Sequence, residues 1–248
     1  MSPSINCREN REFASEIKFL IAPQLAGQVR GWMQSRLRPD PYAGGETGDE
    51  YQITSLYFDT EQFDVFHRRG SFGRSKYRVR RYGREAVAFL ERKLKTGALL
   101  TKRRTVVRSE ELEQLSRPET AEGWIGAWYH RRLLARDLKP VCQISYRRTA
   151  RVAPTPFGPI RLTMDDNLRA SVATGVHFVE GEGELILNEQ IILEMKFRYA
   201  MPALFKYLAE EFGLTPSRVS KYRLAVNGLE LMGAQASGVE EKVQNEYA

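Results

Sequence analysis

The sequence predicts an α+β fold: an antiparallel β-barrel, or tunnel, with a basic lumen, surrounded by helices. The main observation is a repeated alternation of charge. Glu16-Ile17-Lys18, Lys76-Tyr77-Arg78-Val79-Arg80, Glu91-Arg92-Lys93-Leu94-Lys95, Arg161-Leu162-Thr163-Met164-Asp165 and Leu193-Glu194-Met195-Lys196-Phe197 all place charge at every second position or close to it. Side chains alternate faces along a strand, so each charged set shares one face and the apolar set the other. A flat sheet over a core shows this once or twice with scattered charges. Five occurrences dominated by cations fit strands curled until their charged faces converge. A second observation is that stretches with helical spacing are interspersed among the strands, available to cover the outward apolar faces.

In chain order, a first strand is predicted over Arg11 to Ile21, ended by Pro23. Gln24 to Leu37 has helical spacing, with Leu25, Val29, Trp32, Met33 and Leu37 as its apolar stripe. Pro39 to Gly48 reads as a loop, Gln52 to Phe58 as a strand and Glu61 to Arg68 as a short helix. Ser75 to Val107 reads as three strands with turns at Gly83 and Thr96-Gly97. Ser109-Glu110-Glu111 carries the signature of a helix start, a capping Ser followed by acids. A helix is expected over Ala121 to Leu134, then strands at Val141 to Val152, Ile160 to Met164, His177 to Val179 and Ile191 to Phe197, with a turn at Gly181-Glu182-Gly183. Two helices follow, Pro202 to Phe212 and one capped by Thr215 with Pro216 at its first position, ending by Gly228. Residues 1–232 are read as one domain and 233–248 as a flexible tail.

Composition narrows the class. The 248 residues are 42% hydrophobic, enough for a sizeable core, and carry a formal net charge of +7. That balance points to phosphate-rich partners without choosing among them. Two cysteines in unlike contexts, no signal-like N-terminus and no apolar run near the ~20 residues of a membrane span give a soluble, cytoplasmic expectation. The three histidines are scattered, which argues against a His-based zinc site.

No GxxxxGK, no GxGxxG after a strand and no HExxH occurs, so phosphate chemistry here has to rest on side chains. Arg78 and Arg80 share a strand face about 7 Å apart, a spacing that suits neighbouring phosphoryl groups, and guanidinium forks grip phosphate oxygens in pairs. Lys93, Lys102, Arg104 and Lys196 carry the same chemistry, though each alone is as well explained by a solvated surface. Glu194 lies in the apolar run Ile191 to Phe197 and needs a partner there: Lys196 on the same face, or a divalent metal. Glu-x-Lys recurs at Glu16-Lys18 and Glu91-Lys93, which favours one shared site over coincidence.

The ordered segments EIKF (16–19), LYFDT (56–60), KYRVRRYG (76–83), FLERKLK (89–95), KRRTVV (102–107), YRRTA (146–150), IRLTMDDNLR (160–169), LEMKF (193–197) and SKYR (220–223) resemble the catalytic domain of the vacuolar transporter chaperone (VTC) polyphosphate polymerases. That family lies within the CYTH, or triphosphate tunnel metalloenzyme, superfamily. The resemblance implies a tunnel that holds a nucleoside triphosphate or polyphosphate with Mn²⁺ or Mg²⁺. It implies Lys18, Arg78, Arg80, Lys93, Lys102, Arg148, Arg161, Lys196 and Lys221 as phosphate ligands. Glu194 is the implied metal carboxylate, with Glu91 as the second candidate. Arg78, Arg80 and Arg148 would also meet the nucleotide, with Tyr146 either stacking on its base or packed in the wall. Strand alternation turns Arg148 inward and Arg147 outward. Hydrolytic superfamily members typically begin ExExK; here Ala14 stands at the first Glu position, in keeping with the VTC branch. The implied partners are ATP and inorganic polyphosphate, with no nucleic acid and with any membrane component on a separate chain.

Overall fold

The computed structural model describes residues 6–11, 15–96 and 99–232. Gly97, Ala14 and the 233–248 tail lie outside them. Eleven strands form one antiparallel sheet. Nine run in the order β1 (Asn6–Arg11), β7 (Leu99–Arg108), β6 (Val87–Thr96), β5 (Ser75–Tyr82), β4 (Glu50–Asp59), β8 (Lys139–Ala153), β9 (Ile160–Val172), β11 (Ile191–Phe197) and β2 (Ser15–Ile21). Two short strands, β3 (Arg38–Pro39) on β8 and β10 (Glu184–Leu185) on β9, hang off this path. No ladder joins the two ends of the path among the described residues, so the curl is not hydrogen-bonded shut. It is nonetheless tight, because Lys93 on β6 reaches Glu16 on β2 at 2.8 Å.

The alternation read from the sequence decides which face goes where. Outward-facing Phe19, Ile21, Ile160, Leu162, Met164, Leu193, Met195 and Phe197 bury against α1 (Pro23–Arg36) and α4 (Ala203–Glu211). The α1 stripe is Ala26, Val29, Trp32 and Met33, with Leu25 only partly buried. On the other side Leu56, Phe58, Tyr77, Val79, Leu90 and Val107 pack under α2 (Asp64–His67), α3 (Ala127–Leu134) and a 3-10 helix at Ser109–Ser116. The last helix, α5 (Lys221–Gly228), buries Tyr222, Ala225 and Val226 and covers the lumen.

Several elements differ from the sequence reading, each for a local reason. The expected 121–134 helix begins only at Ala127. Trp124 folds back to donate to Glu111 at 2.9 Å, and a side chain at Gly126 would come within 2.5 Å of its ring. The Ser109 cap is replaced by Glu111, whose carboxylate accepts the Arg108 N–H at 2.7 Å. Residues 177–179 form no strand; the Gln143 side-chain amide grips Val179 N–H and C=O at 2.8 Å each in place of a ladder. β9, expected to end at Met164, runs on through Asp166-Asn167 to Val172. Asn167 sits there at φ 49°, a left-handed conformation that Asn tolerates. The closing helix begins at Lys221, not near Pro216. Ser217 N–H is drawn off to the Lys18 carbonyl at 2.7 Å, which holds the preceding segment beside β2.

Candidate functional site

The inward faces meet in a cavity of about 160 Å³. β5 contributes Lys76, Arg78 and Arg80, β6 Glu91 and Lys93, β7 Lys102, and β8 Tyr146 and Arg148. β11 adds Glu194 and Lys196, β2 Glu16 and Lys18, β4 Tyr57, and α5 Lys221 and Tyr222. Strand register explains the convergence. Glu91 lies opposite both Arg78 and Arg104, Lys93 opposite Lys102, Glu194 opposite Lys18, and Lys196 opposite both Glu16 and Arg161. Nine basic residues line this space against three acids.

The charges are grouped. Glu91 is bracketed by Arg78 at 2.7 Å, Lys102 at 3.0 Å and Arg104 at 3.2 Å. Burial raises its pKa, but these cations and Arg80 outweigh that and hold it well below the carboxylate range. Glu194, only 5% exposed, has Lys196 at 3.0 Å and Lys18 at 3.9 Å. Burial opposes its ionisation too, and Lys196, Lys18, Arg148 and Lys221 together keep it ionised. Burial lowers the Lys18 ammonium, partly offset by Glu194. Glu16 sits between Lys93 at 2.8 Å and Lys196 at 3.5 Å.

Among the described residues Lys76 pairs with the Ser220 hydroxyl at 3.2 Å and with no carboxylate, and Arg80 is the other such cation and the more buried. It is 5% exposed, and its partners are the hydroxyls of Ser55 at 3.0 Å and Tyr146 at 3.1 Å. Among the described residues no carboxylate stands within ion-pair distance of it. It is therefore the most deeply buried charge in the lumen available to an incoming anion, since a buried ion strongly favours a partner. Tyr57 lies beside it. Burial raises that phenol, yet Arg78 and Arg80, the Arg78 hydrogen bond and Lys221 bring it down to about 8.

Of the residues expected from the sequence, Lys18, Arg78, Arg80, Lys93, Lys102, Arg148, Lys196, Lys221, Glu91, Glu194 and Tyr146 line the cavity together. Arg147 points outward and pairs with Asp166 at 2.9 Å. Three of the expected residues are placed differently from the rest. Arg161 shares the inward face of β9, but its guanidinium turns to Asp40 at 2.7 Å and to the Tyr51 hydroxyl, and it is not part of the cavity wall. Glu91, already held by three cations, is their counter-ion; a metal there would have to displace them. Tyr146 is 1% exposed, wedged between Arg148 and Lys221, and offers no free face to a base.

Sequence reasoning gave Lys76, Tyr57 and Asp165 no site role, and placed Glu16 in the shared site without a role of its own. Lys76, Glu16 and Asp165 stood in the same alternating phase as residues that were chosen, so the signal was there. Tyr57 lies in LYFDT, where nothing but its neighbours across the ladder marks it.

For a divalent ion, no group of three or more His, Cys, Asp or Glu is assembled among the described residues. Glu194 and Glu16 flank one ammonium, that of Lys196. Two carboxylates are what hard ions such as Mg²⁺ or Mn²⁺ take from a protein, and an ion between these two would have to displace the Lys196 ammonium.

Fold and site together define a curled antiparallel sheet around a cation-rich cavity. The VTC domain profile matches residues 13–230. The chain belongs to the VTC domain family. No curated protein matches it significantly in sequence. Among solved structures it is similar to a candidate adenylate cyclase of Bacillus halodurans, at TM-score 0.53 and 16% identity over 86% of this chain and 96% of that one. A candidate adenylyl cyclase of Hippeastrum, reported to have dominant triphosphatase activity, matches at TM-score 0.47 and 15% identity over 87% and 96% of the two chains. At 16% identity the likeness to the Bacillus protein speaks to the fold alone. No helix among the described residues is long and apolar enough to cross a membrane.

Proposed function

We propose that this protein is a polyphosphate polymerase that moves the γ-phosphoryl group of ATP onto the end of an inorganic polyphosphate chain. The observation that carries the reading is a walled cavity with three times as many cations as acids among its lining residues. Such a site positions phosphates and stabilises charge, which is most of what phosphoryl transfer asks of a protein.

Arg80 and Arg78, adjacent on one inward face, would grip neighbouring phosphoryl groups of the donor, with Lys102 across the ladder. Lys18, Lys93 and Lys196 would hold the acceptor chain. The acceptor's terminal oxygen attacks the γ-phosphorus in line, the bond from that phosphorus to the β–γ bridging oxygen breaks, and ADP leaves. Glu194 and Glu16 would hold Mn²⁺ or Mg²⁺, which when bound neutralises charge on phosphate oxygens. The wall of strands limits water's access to the transferring group.

The test is incubation of the purified protein with γ-labelled ATP and Mn²⁺, followed by gel electrophoresis. Label in long chains degraded by an exopolyphosphatase supports the reading. Label released only as orthophosphate would assign a triphosphatase instead.

A further inference from the structure

Asp165 is fully buried and stands behind the cavity wall. Its two carboxylate oxygens accept from Arg148 at 2.6 and 2.7 Å, in the paired geometry that a guanidinium also offers to phosphate. The Lys221 ammonium lies 2.5 Å from the same carboxylate. Both cations stack on one ring, Arg148 at 5.4 Å and Lys221 at 4.8 Å from the centre of Tyr146. Both also line the cavity. One acid thus occupies the donors of two groups that face the phosphate path.

We propose that Asp165 is a resident mimic of a phosphoryl group, competing with the polyphosphate chain for Arg148 and Lys221 and so weakening the tunnel's grip enough for the chain to advance. The identity of the chain rests on the polymerase reading; the competition rests on the geometry alone. A polymer that must move one unit per cycle is ill served by a lumen that binds every phosphate as tightly as its charge allows. A fixed carboxylate supplies an alternative partner at each step, so that Lys221 exchanges between two anions instead of being stripped bare. This makes Asp165 a positioning residue that sets affinity.

The surrounding structure keeps both cations in place without Asp165. α5 is anchored independently, because the Tyr222 hydroxyl donates to Asp59 at 2.6 Å, and Asp59 also accepts the N–H groups of Val65 and Phe66. The Tyr146 ring still backs Arg148 and Lys221. Asp165→Asn therefore removes the competing charge while leaving the donors beside the cavity.

The experiment is calorimetric titration of tripolyphosphate into wild-type protein and Asp165→Asn, together with their kcat and KM for chain elongation. The variant is expected to bind roughly tenfold tighter and to show lower KM and lower kcat, as product is held back. A merely structural role would weaken binding and raise KM. Equal or weaker binding by a variant with the wild-type circular dichroism overturns the proposal. If the variant does not fold, wild-type crystals grown with tripolyphosphate decide. Lys221 is then expected on a phosphate oxygen, and Lys221 bound to Asp165 alone would overturn the proposal. A wild-type protein that binds no tripolyphosphate would overturn the polymerase reading as well; wild-type binding without a gain in the variant overturns this inference alone.

Discussion

At the scale of single residues, the lumen is a set of local neutralisations with two gaps among the described residues, Arg80 and Lys76, which bond hydroxyls. Glu91, Glu194 and Glu16 each have cationic partners, and Arg80 has hydroxyls. Arg80→Ala is accordingly expected to cost tripolyphosphate affinity by about 1.5–3 kcal/mol, the scale of a charge-assisted hydrogen bond. Arg147→Ala, on the solvent side of β8, is expected to change it by less than about 0.5 kcal/mol. Equal losses at the two positions, read by titration calorimetry, would place the binding outside the tunnel. Glu194→Gln keeps size and hydrogen bonding but loses the charge a hard cation needs. Metal-dependent turnover should collapse while metal-free tripolyphosphate binding persists. Normal turnover in that variant removes Glu194 from the metal site.

Tyr57 gives the pH dependence. Its phenol is lowered to about 8, so it is neutral below that pH and a tyrosinate above it. A negative charge appearing between Arg78, Arg80 and Lys221 competes with phosphate. Burial also lowers the Lys76 ammonium in the same cavity to about 8, so affinity for tripolyphosphate should fall as pH rises through 8 in the wild type and fall less steeply in Tyr57→Phe. The same decline in both proteins would show that Tyr57 contributes nothing and Lys76 accounts for all of it.

At the scale of elements, the Asp59–Tyr222 contact ties the closing helix to the sheet. Tyr222→Phe leaves a buried carboxylate short of one donor, and a loss of about 1–3 kcal/mol is expected in urea unfolding. A variant as stable as wild type would mean α5 is held by its apolar face alone. Much of this architecture was legible in the sequence because a strand's period of two is written directly in its side chains. Arg147 out and Arg148 in, or Glu91 and Lys93 on one face, follow from alternation and nothing else. Other features depend on contacts between distant segments. The late start of α5 comes from Ser217 bonding to Lys18, and the lost first turns of α3 from Trp124 folding over Gly126. Arg161 shows the limit most clearly. Its face was read correctly, but where its long side chain ends was decided by Asp40, more than a hundred positions away, which no periodicity reports.

At the scale of the whole molecule, a net charge of +7 says only that the protein favours anions. What the fold adds is concentration: the apolar faces turn out to the helices and the charged faces turn in, so cations that repel one another are held around one cavity. A ligand that relieves this repulsion and binds only the folded state stabilises it by about 2.7 kcal/mol at a hundredfold excess over its dissociation constant, or roughly 5–10 °C for a protein of this size. An enclosed lumen should give this gain to slender phosphate chains and withhold it from polymers that carry bases. The most direct test is a thermal-unfolding series at matched ionic strength with tripolyphosphate, sulfate and single-stranded RNA of similar charge. The account predicts a clear rise in melting temperature with tripolyphosphate and little with the other two. Stabilisation by RNA equal to that by tripolyphosphate would contradict it, because the cations would then lie on an open surface.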